Sequence, residues 1–114
     1  MNDSDIPILK KAYELYKTFH EYRKTVPKQD RFTIYEWSER LILDIIENLF
    51  LAGYAKTVNK ATTLEQISAK LNLLRLLVRL MKDTKTLDNK KYIVLQEIID
   101  EIGRQLGGWS RSIR

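Results

Sequence analysis

Apolar side chains recur along the chain at intervals of three and four residues, and four stretches carry the pattern. The first spans about residues 7–26, with Leu9, Ala12, Tyr13, Tyr16, Phe19 and Val26 on one face. Asp5 is placed to cap it, and Pro7 falls in the first turn, where the missing amide hydrogen costs nothing. Pro27 ends it, because the residue before a proline is pushed out of helical geometry. The second spans about 33–56, opening on a Thr33-x-x-Glu36 capping box and continuing through Trp37, Leu41, Ile45, Leu49 and Ala52. The third spans about 62–85 and opens on a second box of the same type, Thr62-x-x-Glu65. The fourth, about 88–106, follows Leu87-Asp88 and keeps Tyr92, Leu95, Ile98, Ile99, Ile102 and Leu106 on a narrow stripe. Gly107-Gly108 is expected to stop it, leaving 107–114 as a short basic tail. Four helices joined by short loops predict an all-α, up-and-down four-helix bundle forming a single domain over 1–114.

Two of the helices are more apolar than such a bundle requires. A helix packed on one core needs an apolar stripe a little over 100° wide. Within Leu71–Met81 only Asn72, Arg75 and Arg79 are polar, so the apolar positions sweep about 220°. The second helix likewise has Ile42, Leu43, Ile46 and Phe50 outside the stripe of Leu41 and Ile45. Burial against another subunit accounts for the excess better than one broad internal core. Ile42, Leu43, Ile46, Phe50, Leu73, Leu76, Leu77 and Leu80 are therefore the expected oligomer interface.

Composition narrows the function classes. The 114 residues contain no cysteine, which removes disulfides, thiolate metal sites and cysteine nucleophiles. Apolar runs are far shorter than the roughly 20 residues of a membrane span, and the acidic N-terminal stretch with Asp3 and Asp5 is unlike a signal peptide. A cytoplasmic protein without a membrane partner is expected. The net charge is +5, and all of the positive excess lies in residues 56–114, which carry twelve Lys/Arg against six Asp/Glu. An anionic partner there, nucleic acid or an acidic protein surface, fits that asymmetry.

Arg75, Arg79 and Lys82 share one helical strip with Ser68 and Asn72. Crowded like charges are relieved by an anion, either RNA phosphate or a carboxylate on another helix or subunit, and both readings stay open. Lys28 and Arg31 form a small basic loop, and Arg111 and Arg114 lie on the basic tail; each can meet RNA or simply face solvent. Arg104 follows Asp100 and Glu101 by four and three residues, so a surface ion pair suffices for it. Gly103 beside the apolar stripe suggests close helix packing. Trp37 and Trp109 are expected in the core. His20 is the only histidine, which argues against a zinc site or a histidine-dependent triad. No glycine-rich phosphate loop or polymerase-type aspartate pair is present, so neither catalysis nor a cofactor is expected.

Three stretches carry a family likeness: Pro27-Lys28-Gln29-Asp30-Arg31-Phe32-Thr33, the run Lys70-Leu71-Asn72-Leu73-Leu74-Arg75-Leu76-Leu77-Val78-Arg79-Leu80, and the ending Glu101-Ile102-Gly103-Arg104-Gln105-Leu106-Gly107-Gly108-Trp109. Together they resemble the accessory variability determinant (Avd) family of diversity-generating retroelements, over nearly the whole chain and in order. The resemblance implies a four-helix-bundle protomer assembling into a basic, barrel-shaped homopentamer. It further implies a non-catalytic role beside the retroelement's reverse transcriptase and its template RNA or DNA during mutagenic copying. For Arg104 it favours a structural role. One departure is Tyr35, where the family pattern leads us to expect glycine or another small residue. Four-helix proteins encoded in intervening sequences of ribosomal RNA genes share the fold but lack the Gly-Arg-x-Leu-Gly-Gly-Trp ending. They supply the alternative, a purely structural homo-oligomer with no polymerase partner.

Overall fold

In the computed structural model, residues 6–113 are described, apart from the side chains of Ile6, Thr57 and Val58. Asp5, the expected first cap, and Arg114 of the tail lie outside them. Helix α1 covers Ile6–Tyr22 and relaxes into a 3₁₀ turn at Arg23–Thr25. Val26 is extended (φ −75°, ψ 134°), as the following proline requires. Pro27 then leads into the single turn α2, Lys28–Arg31. Helices α3 (Ile34–Tyr54), α4 (Thr57–Asp83) and α5 (Asn89–Ser112) complete the chain.

The four long helices pack in chain order, α1 on α3, α3 on α4, α4 on α5, and α5 returns to α1. The result is a bundle 43 × 22 × 19 Å. Its core is one continuous cluster of Ile8, Leu15 and Phe19 from α1, Tyr35, Ile42, Ile45 and Leu49 from α3, Leu64 to Met81 from α4, and Leu95 to Leu106 from α5. Full burial of each aliphatic side chain contributes roughly 1.5–3 kcal/mol relative to exposure, so this cluster is the main source of stability. The stripe of α5 is as expected. The buried stripe of α1 is rotated: Ile8, Ala12, Leu15 and Phe19 are inside, while Tyr13 points outward. Tyrosine satisfies an apolar pattern from either side of a helix, so spacing alone did not place it.

Three helix boundaries differ from expectation. Thr33 precedes α3 but forms no capping hydrogen bond; its hydroxyl donates back to the carbonyls of Gln29 and Asp30, both at 3.4 Å. Because α2 exists, Thr33 serves the end of that turn. The third helix begins at Thr57 instead of Thr62, leaving only Ala55-Lys56 between α3 and α4. Nothing in residues 57–61 breaks a helix, and the box at Thr62 is an interior coincidence. The fourth helix runs through Gly107-Gly108 to Ser112, so 107–112 is not a tail. Two glycines cost about 2 kcal/mol relative to alanine, and the packing of Trp109 and Ile113 against the core offsets this. At the other end of α5 the Asp88 carboxylate caps the helix, accepting from the Lys91 amide at 2.8 Å.

Tyr35 is fully buried, its ring stacked on Phe19 with centroids 4.1 Å apart and planes within 10°. Its hydroxyl donates to the Phe19 carbonyl. Thus α1 and α3 meet here through two aromatic rings. Burial holds the phenol far above its ordinary pKa of 10.0, with the Glu39 charge adding to the effect. The buried polar groups Ser38 and Thr86 are both satisfied: Ser38 donates to the Ile34 carbonyl (2.8 Å) and Thr86 to Asp30 Oδ2 (3.1 Å).

Candidate nucleic-acid interface and assembly faces

The polar strip of α4 does not act as one unit. Arg75 lies on the flank toward α5, where its Nε stands 3.4 Å from Asp100 Oδ1 and its Nη1 donates to Asn72 at 2.8 Å. Its side chain is 34% exposed. The guanidinium passes over Gly103, where an added Cβ would stand 2.6 Å from Nη2. The glycine therefore admits an arginine side chain across the α4–α5 seam. Lys82, two turns beyond Arg75, places its Nζ 4.8 Å from the centre of the Tyr92 ring. Only Arg79 of the three faces solvent without an ion pair among the described residues. Arg75 is thus engaged within its own chain by Asp100, a carboxylate on another helix.

Arg104 pairs with Glu101 on its own helix. The Glu101 carboxyl is held below its ordinary value first by a hydrogen bond from Gln105 and then by Arg104. Arg31 spends its guanidinium on the loop that precedes it, with Nε on the Val26 carbonyl (3.0 Å) and Nη2 on that of Lys24 (3.4 Å). Lys28 and Arg111 are exposed. Among the described residues no group of three His, Cys, Asp or Glu is placed to hold a metal ion. His20 Nδ1 instead lies 3.1 Å from Glu39 Oε2.

The eight residues expected at an oligomer interface divide. Ile42 and Leu77 are buried in the protomer's own core and are not available to a neighbour. The cause is geometric: adjacent α3 and α4 pack closely, so the core stripe on each is wider than one helix face suggests. Ile46 and Leu73 are half-buried against that core. Leu43, Phe50, Leu76 and Leu80 are exposed. Spacing missed further exposed apolar groups: Tyr13 on α1, Phe32 before α3, Trp37, Leu51 and Tyr54 on α3, and Ile93 and Val94 on α5. Trp37 in particular was expected inside, and it is half exposed.

Those on α3 and α4 fall on two sides of α3. The His20–Glu39 contact marks its α1 side, and helical register puts Leu43 and Phe50 there, on the same flank as Ile46. Phe50 lies against Tyr54, with ring centroids 5.0 Å apart. Trp37 and Leu51 lie on the opposite flank, toward α4, whose own exposed leucines are Leu76 and Leu80. The chain therefore carries two different apolar faces, separated by the outer surface of α3.

The chain is a small basic protein built as a closed ring of four long helices. A family model described as bAvd-like matches residues 6–113, and the chain belongs to the bAvd-like family. The family is one of Avd-type accessory proteins and is non-catalytic. A comparison with curated proteins finds no match. Among the described residues no helix is long and apolar enough to cross a membrane.

Proposed function

We propose that this chain is the accessory protein of a diversity-generating retroelement and that it binds the reverse transcriptase and the template RNA or DNA during mutagenic copying. The observation that carries the proposal is the bAvd-like match over residues 6–113. The net charge of +5 supports a polyanionic partner. In this reading the protomer works as a homo-oligomer, and the family resemblance makes the count five. The two unlike apolar faces beside α3 support head-to-tail association: a two-fold dimer needs one self-complementary face, whereas a ring needs two different ones.

Co-expression with a cognate retroelement reverse transcriptase, followed by affinity purification and light scattering, tests the proposal. The expected result is a complex of polymerase, RNA and an assembly several times the 13.5 kDa protomer mass. An assembly that forms but captures neither polymerase nor RNA would instead establish the structural homo-oligomer of the ribosomal intervening-sequence type.

A further inference from the structure

The fold gathers charge at one end of the bundle. Residues 21–33, around α2, and residues 82–91, between α4 and α5, each carry four Lys/Arg and two Asp/Glu. The Thr86–Asp30 hydrogen bond (3.1 Å) ties the two segments together although 56 residues separate them. At this end Phe32 projects from the corner between α2 and α3. It is 70% exposed, more than any other large apolar side chain among the described residues. The Arg23 guanidinium stands over its ring, 5.1 Å from the centre. Arg23 also lines an open cleft of about 590 Å³ with His20, Glu21, Lys24 and Arg31. Glu21, the one acid in that lining, is paired with Lys24, which holds its carboxyl below the ordinary value. Arg31 is fixed by the two loop carbonyls it binds, so the corner is braced.

A phenylalanine held in water on a braced basic corner has no packing role in the protomer. Its ring offers an apolar face already flanked by a cation, beside a cleft lined by further cations. A flat aromatic base followed by a phosphate matches both halves of that arrangement, whereas a duplex hides its base faces in the stack. We propose that the α2 corner is a contact site for single-stranded nucleic acid, with Phe32 stacking on one unpaired base and Arg23 and Lys24 holding the adjacent phosphate. The inference rests on the nucleic-acid reading above and assigns it a place and a strand state.

The test uses the full chain, a short single-stranded RNA carrying 2-aminopurine, and the same sequence as a duplex, at low salt. Binding is read by anisotropy, and stacking by loss of 2-aminopurine fluorescence. Phe32→Ala should weaken single-strand binding about tenfold and abolish the quenching, with duplex binding changed by less than about twofold. Phe32→Trp should restore both signals, whereas Phe32→Leu, similar in apolar character but without a π face, should not. Arg23→Gln should weaken binding and flatten the salt slope by about one unit. Circular dichroism and light scattering establish that each variant keeps its fold and assembly.

Wild-type protein that binds RNA while Phe32→Ala binds it equally well overturns this site and leaves the wider reading intact. Wild-type protein that binds no nucleic acid overturns both. A Phe32→Ala protein that loses its assembly, or that loses only a co-purifying polymerase, identifies the corner as a protein contact and overturns the proposal.

Discussion

The two flanks of α4 carry different residue types and meet opposite fates. Toward α5 the helix presents Arg75 and Lys82, and both are engaged: one by Asp100 and Asn72 over the bare backbone of Gly103, the other by the Tyr92 ring. Toward the outside of the α3 seam it presents Leu76 and Leu80, which are left in water. The charged flank is self-sufficient and the apolar flank is not. Charge on a helix is therefore a poor guide to where partners bind when a neighbouring helix brings its own carboxylates and aromatic faces. Exposed leucine in a stable bundle is the better guide.

The largest effect expected from this contrast is on assembly. Leu76→Glu with Leu80→Glu places two charges on the apolar flank without touching the core, and should leave folded 13.5 kDa protomers by light scattering. An unchanged assembly would move the interface elsewhere. Next in size, adjacent residues can be set against each other. Leu77, 4% exposed, should cost about 2–5 kcal/mol when cut to alanine. Leu76, 62% exposed, should cost less than about 0.5 kcal/mol when measured in the dissociated protein by urea unfolding.

The charged flank yields smaller shifts. Arg75→Ala removes a partly exposed pair and should cost no more than about 1 kcal/mol. Gly103→Ala displaces the same guanidinium, while alanine's helix preference contributes up to about 1 kcal/mol in the other direction. The single change should therefore lie within about 0.5 kcal/mol of wild type. In the Arg75→Ala background the same glycine replacement should stabilise by nearly the whole propensity term, so that a double-mutant cycle shows clear coupling. No coupling would mean that the two residues do not meet.

The smallest effect concerns the start of α5. The hydrogen bond from the Lys91 amide, followed by the Lys91 side chain, holds the Asp88 carboxyl below its ordinary 3.8. A lowered carboxyl pKa contributes stability that is complete above that ordinary value and is lost as pH falls through the lowered one. Thermal melts should thus show Asp88→Ala slightly less stable than wild type at neutral pH, with the difference vanishing once the pH has fallen below the lowered pKa of Asp88.

Periodicity was enough for the four long helices and for the α5 stripe, because Leu95 to Leu106 alternates cleanly with polar residues, but the single turn α2 was read as a basic loop. It failed where a signal is local and the outcome is not. A Ser/Thr-x-x-Glu box marks a helix start only if the preceding residues leave the helix, and residues 57–61 do not. A glycine pair stops a helix only if nothing beyond it packs, and Trp109 does. Around these residues, the Arg104–Glu101 pair and the exposed Leu43, Phe50, Leu76 and Leu80 were legible. The role of Arg75 was not, since it depends on which acid α5 brings across. Phe32 left one readable trace, an aromatic residue isolated in a polar loop with no helical partner.

The pairing of α1 with α5 has a consequence for how the molecule is made. These helices are neighbours in space but lie at opposite ends of the sequence, so their seam closes last when the chain emerges from the ribosome. The α3–α4 hairpin, joined by only two residues, forms early because its loop closes at little entropic cost. Until α5 is released, the inner faces of Leu15, Leu74 and Val78 have no lid on one side. The nascent three-helix species then shows solvent both this open core and the outer leucines. It is the state in which this chain is most exposed to aggregation, and slowing synthesis across residues 89–112 should deepen that exposure.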